Sequence, residues 1–264
     1  MSSELERLVV LVTSANVYLN NDEDKYNMDP AITEYCHGVE FIENPLPGVA
    51  GSMRTIAPNA ERWFMHLKQE GPARVRLHYH PFTRDDIPQR IRDVVTEYGS
   101  NWLIETQYNK LNRLYVQIMN SQKLSIPPSW KTFFILLEGG SKNLDDTSPS
   151  VQESIDNLDR VLEMLSNFAD RFEYTKHWAD NFASPRQILH DTSSSSIDLI
   201  PNGIYSNDAY HLLQAALSSW VFGGMGSWND LAFNGDDDTQ YASLTGQLYE
   251  TICTSIVSVV NSYP

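Results

Sequence analysis

The chain has 264 residues, with 19 Lys and Arg against 34 Asp and Glu, a formal charge of −15, and a 41% apolar content that suits a globular protein rather than a disordered one. That balance speaks against nonspecific nucleic-acid binding and against docking on anionic membranes, and it favours a cationic partner. The charge is uneven: residues 1–132 are net −2, residues 133–264 are net −13, and no Lys or Arg follows Arg186.

Cys36 and Cys253 are far apart and form no Cys-x-x-Cys pair, which fits a reducing cytoplasm. The N-terminus is acidic where a signal peptide would be basic, and no apolar run has the length of a bilayer span. A cytoplasmic location is therefore expected.

In chain order, Leu8-Val-Val-Leu-Val12 reads as a buried β-strand. Asn20–Asp24 reads as an acidic loop, Ala31–Phe41 as a short helical or irregular stretch, and Pro45, Pro47 and Gly48 break the chain. A helix is predicted over Pro58–Gln69, with Trp63, Phe64 and Leu67 on one side and Gly71 past its end. Residues 74–82 alternate: Val75, Leu77 and Tyr79 point one way, Arg74, Arg76, His78 and His80 the other. This predicts a half-buried strand with a cationic outer face.

A helix capped by Thr83 follows, to about Tyr98. A longer one is predicted over Trp102–Gln122 from the spacing of Ile104, Tyr108, Leu111, Tyr115 and Ile118. Thr132–Leu137 reads as a second buried strand, and Ser141–Ser150 as the best boundary in the chain.

Beyond it the pattern is helical. Val151, Ile155, Leu158, Leu162, Leu165 and Phe168 form one stripe of a helix running to about Phe172. Ser206 or Asn207 caps another, carrying Tyr210, Leu213, Ala216, Leu217 and Trp220, which stops at Gly223-Gly224. A terminal helix spans Thr239–Val260, with so few charges that most of its circumference is expected to be covered. The fold class is thus α+β and predominantly helical, with a small sheet in the N-terminal half and a helical C-terminal half. A single domain over 1–264 is preferred, divisible into a mixed part, 1–140, and a helical part, 151–264.

Three windows carry chemistry. Arg74, Arg76, His78 and His80 make a basic strand face, reinforced by Arg84, Arg90 and Arg92, that suits a phosphate or carboxylate. Internal ion pairing, with the surplus carboxylates of the second half packed against this face, is the competing reading. His78 and His80 at i, i+2 have a spacing that a transition metal can use, but further ligands are not nominated, and no cofactor is implied.

Val221-Phe-Gly-Gly-Met-Gly-Ser-Trp-Asn-Asp230 matches neither a phosphate loop, a dinucleotide fingerprint nor a nucleophile elbow. It reads as a tight turn, with Ser227 capping a helix from Trp228. Alternatively it is a binding loop, with Trp228 as the contact residue and Asp230 beside it. Asp236, Asp237 and Asp238 lack the spacing of a calcium loop and read as a solvated acidic loop.

Nothing in the local sequence assembles a catalytic set. Two functions follow. The first is an acidic cytoplasmic protein-binding module, of inhibitor or immunity type, that masks a basic protein through Trp228, Asp230 and Asp236–Asp238. The second is an enzyme or binding protein for an anionic small molecule, centred on Arg74, Arg76, His78 and His80.

Overall fold

A computed structural model describes residues 3–20, 30–43, 54–80, 100–122, 129–137, 144, 148–193 and 196–263. The helix expected over Thr83–Tyr98, with Arg84, Arg90 and Arg92, lies outside the described residues. So do the break at Pro45–Gly48 and most of the acidic loop and of Ser141–Ser150. The chain forms two compact units, one of residues 6–146 and one of residues 1–5 with 147–264. The protein is an α+β protein, and among the described residues no helix is long and apolar enough to cross a membrane.

The first unit is built on a six-stranded mixed sheet: β1 (Val39–Glu43), β2 (Arg54–Ala57), β3 (Arg74–Tyr79), β4 (Trp102–Gln107), β5 (Arg113–Gln122) and β6 (Ser129–Leu136). The order is β2-β1-β6-β5-β4-β3; β1 and β6 run parallel, and all other neighbours are antiparallel. Helices α1 (Ser3–Asn20), α2 (Pro30–Tyr35) and α3 (Ala60–Glu70) accompany it.

The expected helix α3 is present, and its ends show why. The Asn59 side chain accepts from the Arg62 N–H, and Gly71, at φ 67°, donates its N–H to the Leu67 carbonyl. Trp63 on α3 stacks on Phe41 of β1 at 4.1 Å and meets Tyr115 of β5 edge-on at 5.8 Å, so α3 covers one sheet face with aromatic rings. The opposite face carries Ile42, Leu103, Leu114, Val116, Ile135 and Leu144.

Two expectations in this unit are overturned. Leu8–Val12 is not a strand but the middle of α1, and all five side chains are fully buried. A helix covered all round shows an unbroken apolar run, which periodicity cannot distinguish from a buried strand. Asn16, one turn on, bonds the N–H and the C=O of Val75 at 2.8 Å each, so α1 shields the open edge of β3.

Trp102–Gln122 is not a helix but the hairpin β4–β5. Leu111, assigned to the apolar stripe, is half-exposed at the turn, where the Asn112 side chain accepts from the Tyr108 N–H. The turn residues Asn109 and Asn112 and the β-branched and aromatic content of Leu114-Tyr-Val-Gln-Ile118 were the signal that outweighed the helical spacing.

The second unit is helical: α4 (Val151–Asp170), α5 (Lys176–Leu189), α6 (Asn207–Ser218) and α7 (Asp236–Asn261). Helix α4 opens with a reciprocal cap, in which Ser150 N–H donates to Glu153 at 2.8 Å and Glu153 N–H to the Ser150 hydroxyl at 3.2 Å. Leu158, Leu162, Leu165 and Phe168 are its buried stripe, as their spacing predicted. Ser206 caps α6 by accepting from the Ala209 N–H, and the helix ends at Ser218, so Leu217 lies on it and Trp220 does not. Residues Ser255–Val260 of α7 are all buried, whereas Ala242, Ser243, Gln247 and Glu250 remain exposed, so only its C-terminal half is enclosed on every side. Sequence left α5, with Pro185 inside it, unassigned.

Candidate interaction surface

Trp228 anchors the window that the sequence singled out. It begins a single turn of 3-10 helix, Trp228–Asp230, with Ser227 at the cap position as expected, and its ring is fully buried. The indole meets Phe182 edge-on at 4.9 Å and Tyr241 at 5.3 Å; its Nε1–H donates to Thr245 Oγ1 at 2.9 Å, and its carbonyl accepts from the Tyr241 hydroxyl at 2.6 Å. The contact residue expected at the surface is thus a core residue. A large ring with one N–H to satisfy buries readily when a helix supplies the acceptor.

The residues around Trp228 form a self-braced turn. Asn229 Oδ1 accepts from the Gly223 N–H at 2.9 Å. Asp230 Oδ2 accepts from the Gly226 and Ser227 N–H groups at 2.8 and 3.3 Å, and the Ser227 hydroxyl donates to the Gly224 carbonyl at 2.8 Å. Gly223, Gly224 and Gly226 have φ of 94°, 92° and 83°, a region that side-chain-bearing residues avoid. Met225, at the apex, is fully exposed.

Asp236, Asp237 and Asp238 are the first turn of α7 rather than a loop. Three carboxylates there face the unpaired N–H groups and positive end of the helix dipole, which stabilises them without a metal. Asp236 and Asp238 are exposed, and Asp237 pairs with Arg171. The Arg171 guanidinium also bonds Gln240 at 2.7 Å and lies 5.1 Å from the ring centres of Phe168 and Phe172.

Tyr241 ties the two acidic segments together. Burial first, then the negative charge of Asp230, and further that of Asp238, hold its hydroxyl above the ordinary phenol range. Trp228, Asp230 and Asp236–Asp238, 10 positions apart at most in sequence, are therefore one neighbourhood in space.

The basic strand face has a different fate. Arg74, Arg76 and His80 are half-buried, and His78 is buried at 5% exposure, so the expected solvated cationic face is a covered one. His78 stacks with His80 at 6.0 Å, and its Nε2 lies 3.1 Å from Oε2 of Glu105, a β4 carboxylate with no exposed surface. Glu105 also accepts from Gln107 at 3.0 Å, Asn112 at 2.8 Å and the Leu144 N–H at 3.3 Å. Burial by itself would raise its pKa. The bond to and charge of His78, with the Asn112 and Gln107 bonds, outweigh that and bring it down to about 2.

Internal pairing is what His78 does, but its partner is Glu105 of the same unit rather than a carboxylate of the second half. Glu105 escaped sequence reading because its place beside β3 depends on the register Arg76↔Glu105 and His78↔Leu103. Among the described residues no group of three or more His, Cys, Asp or Glu is placed to hold a metal ion. Cys36 and Cys253 are both buried and form no disulfide; burial raises the Cys36 thiol to about 12, against a smaller opposing effect of Arg7.

Comparison with protein-family models, with curated proteins and with solved structures finds no match for this chain.

Proposed function

We propose that the chain is an acidic protein-binding module, of inhibitor or immunity type, whose helical unit masks a basic surface of another protein. One observation carries this reading. Residues 147–264 hold 15 Asp and Glu against four Lys and Arg. Two of those four cations are engaged within the unit: Arg171 with Asp237, and Arg186 with Asp159 at 2.8 Å and Glu163 at 3.5 Å.

The carboxylates left over, Asp230, Asp236 and Asp238 among them, are displayed from an ordered scaffold. Fixed charge on a folded surface steers a cationic partner at long range and orders little on binding. A toxin or enzyme that grips nucleic acid is cationic, and an acidic module of this kind would occupy the place of the substrate.

The test is capture on the immobilised full chain from lysate at about 50 mM salt, followed by affinity measurement on the retained proteins up to about 300 mM. Basic partners are expected, with dissociation constants that rise steeply with salt. Retention of no basic protein, or an affinity indifferent to salt, overturns the reading.

A further inference from the structure

Beside the braced turn lies a second feature that charge alone does not explain. Trp220, just past α6, packs edge-on with Phe222 at 5.1 Å and against Tyr249 of α7 at 5.5 Å, and Phe222 meets Tyr249 at 5.3 Å. All three rings are only partly buried. Three residues beyond Phe222, the turn lifts Met225 fully into solvent. A large apolar side chain held at the tip of a turn by four hydrogen bonds contributes nothing to the core.

The surroundings are acidic. Asp230 closes the same turn, Glu250 follows Tyr249 and is exposed, and Glu4 is near enough to act on the Tyr249 phenol. The patch lies wholly within the stretch after Arg186 that has no Lys or Arg. Aromatic rings and a methionine, rimmed by charge of one sign, are the composition of an anchor site for an apolar stripe flanked by the opposite sign.

We propose that Trp220, Phe222, Met225 and Tyr249 form the docking surface for a basic amphipathic helix of the partner, with Met225 as its apolar anchor. This rests on the acidic-module reading and adds to it the place and the shape of what binds. The apolar stripe of that helix, at i, i+3, i+4 and i+7, lies on the rings and Met225, and its Lys and Arg meet the carboxylate rim. The residues that make the window unusual then have separate duties. Trp228 pins it to the core, Asn229 and Asp230 brace the glycine turn, and Met225 is what the turn presents.

The experiment uses the full chain and two labelled peptides of about 18 residues, equal in Leu and Lys content, one patterned as an amphipathic helix and one scrambled. Anisotropy at low salt is expected to give about tenfold tighter binding of the patterned peptide. Met225→Ser should remove most of that advantage without affecting the scrambled peptide, and Met225→Leu should keep it. Because Met225 packs against nothing, neither variant should alter the melting temperature.

Equal binding of the two peptides, or a Met225→Ser variant that discriminates as well as the parent chain, overturns the docking surface. In that case salt-sensitive binding of both peptides leaves the acidic module standing. Failure of both peptides to bind at low salt removes the two proposals together.

Discussion

The two units of this protein each hold a cluster of polar chemistry in which carboxylates are used in opposite ways. In the sheet unit, Glu105 is taken wholly out of water and surrounded by His78, Asn112, Gln107 and the Leu144 N–H. Nearby, Glu70 on α3 is held by Arg113 at 2.6 Å and by the Tyr108 hydroxyl at 2.8 Å. In the helical unit, Asp236 and Asp238 stand in solvent at the start of α7. The difference teaches that residue type does not reveal whether a charge is structural. What decides is whether the fold surrounds it with enough donors to replace water.

Five variants sharpen this contrast. Trp228→Ala should have the largest effect, about 4 kcal/mol lost in urea unfolding, because it empties the ring's place among Phe182 and Tyr241 and takes the indole N–H away from Thr245. A loss below about 1 kcal/mol would return the ring to the surface.

Glu105→Ala should follow, at about 3 kcal/mol, since four donors lose a shared acceptor. Its pH dependence is a separate check. Glu105 sits at about 2, below the ordinary 4.5, so its contribution is complete above 4.5 and drains away as pH falls towards 2. Melting temperatures across that range should fall less in Glu105→Gln than in the parent chain.

Ser150→Ala removes the cap of α4 and should cost about 1 kcal/mol by thermal unfolding. The smallest effect on folding belongs to the double change Asp236→Asn, Asp238→Asn, at about 0.5 kcal/mol or less, from weakened dipole interactions alone. The same variant should bind polylysine more weakly than the parent does at low salt, with the difference vanishing as salt rises. A stability loss comparable to that of Glu105→Ala would show that these exposed charges are structural after all.

What the sequence by itself determined follows from periodicity and caps. Helices α3 and α4 and strand β3 were legible because their apolar residues repeat with the period of the element, α6 from its cap at Ser206, and β6 and α7 from apolar stretches nearly free of charge. The convergence of Asp230 with Asp236–Asp238 was near at hand for the same reason, being local in sequence.

Only the tertiary structure decided the rest. Leu8–Val12 became a helix because its surroundings cover it on every side, and Trp102–Gln122 became a hairpin because β3 and β6 offered edges to pair with. His78 became an interior partner of Glu105 through a strand register that no local pattern encodes. In the glycine window, the roles of Trp228 and Met225 depended on which side chain found a pocket. Thr245, Tyr241 and Phe182, all distant in sequence or on other elements, took the indole inside and left the methionine out. Local chemistry names the residues with something to offer; the packing of distant elements decides which of them face water.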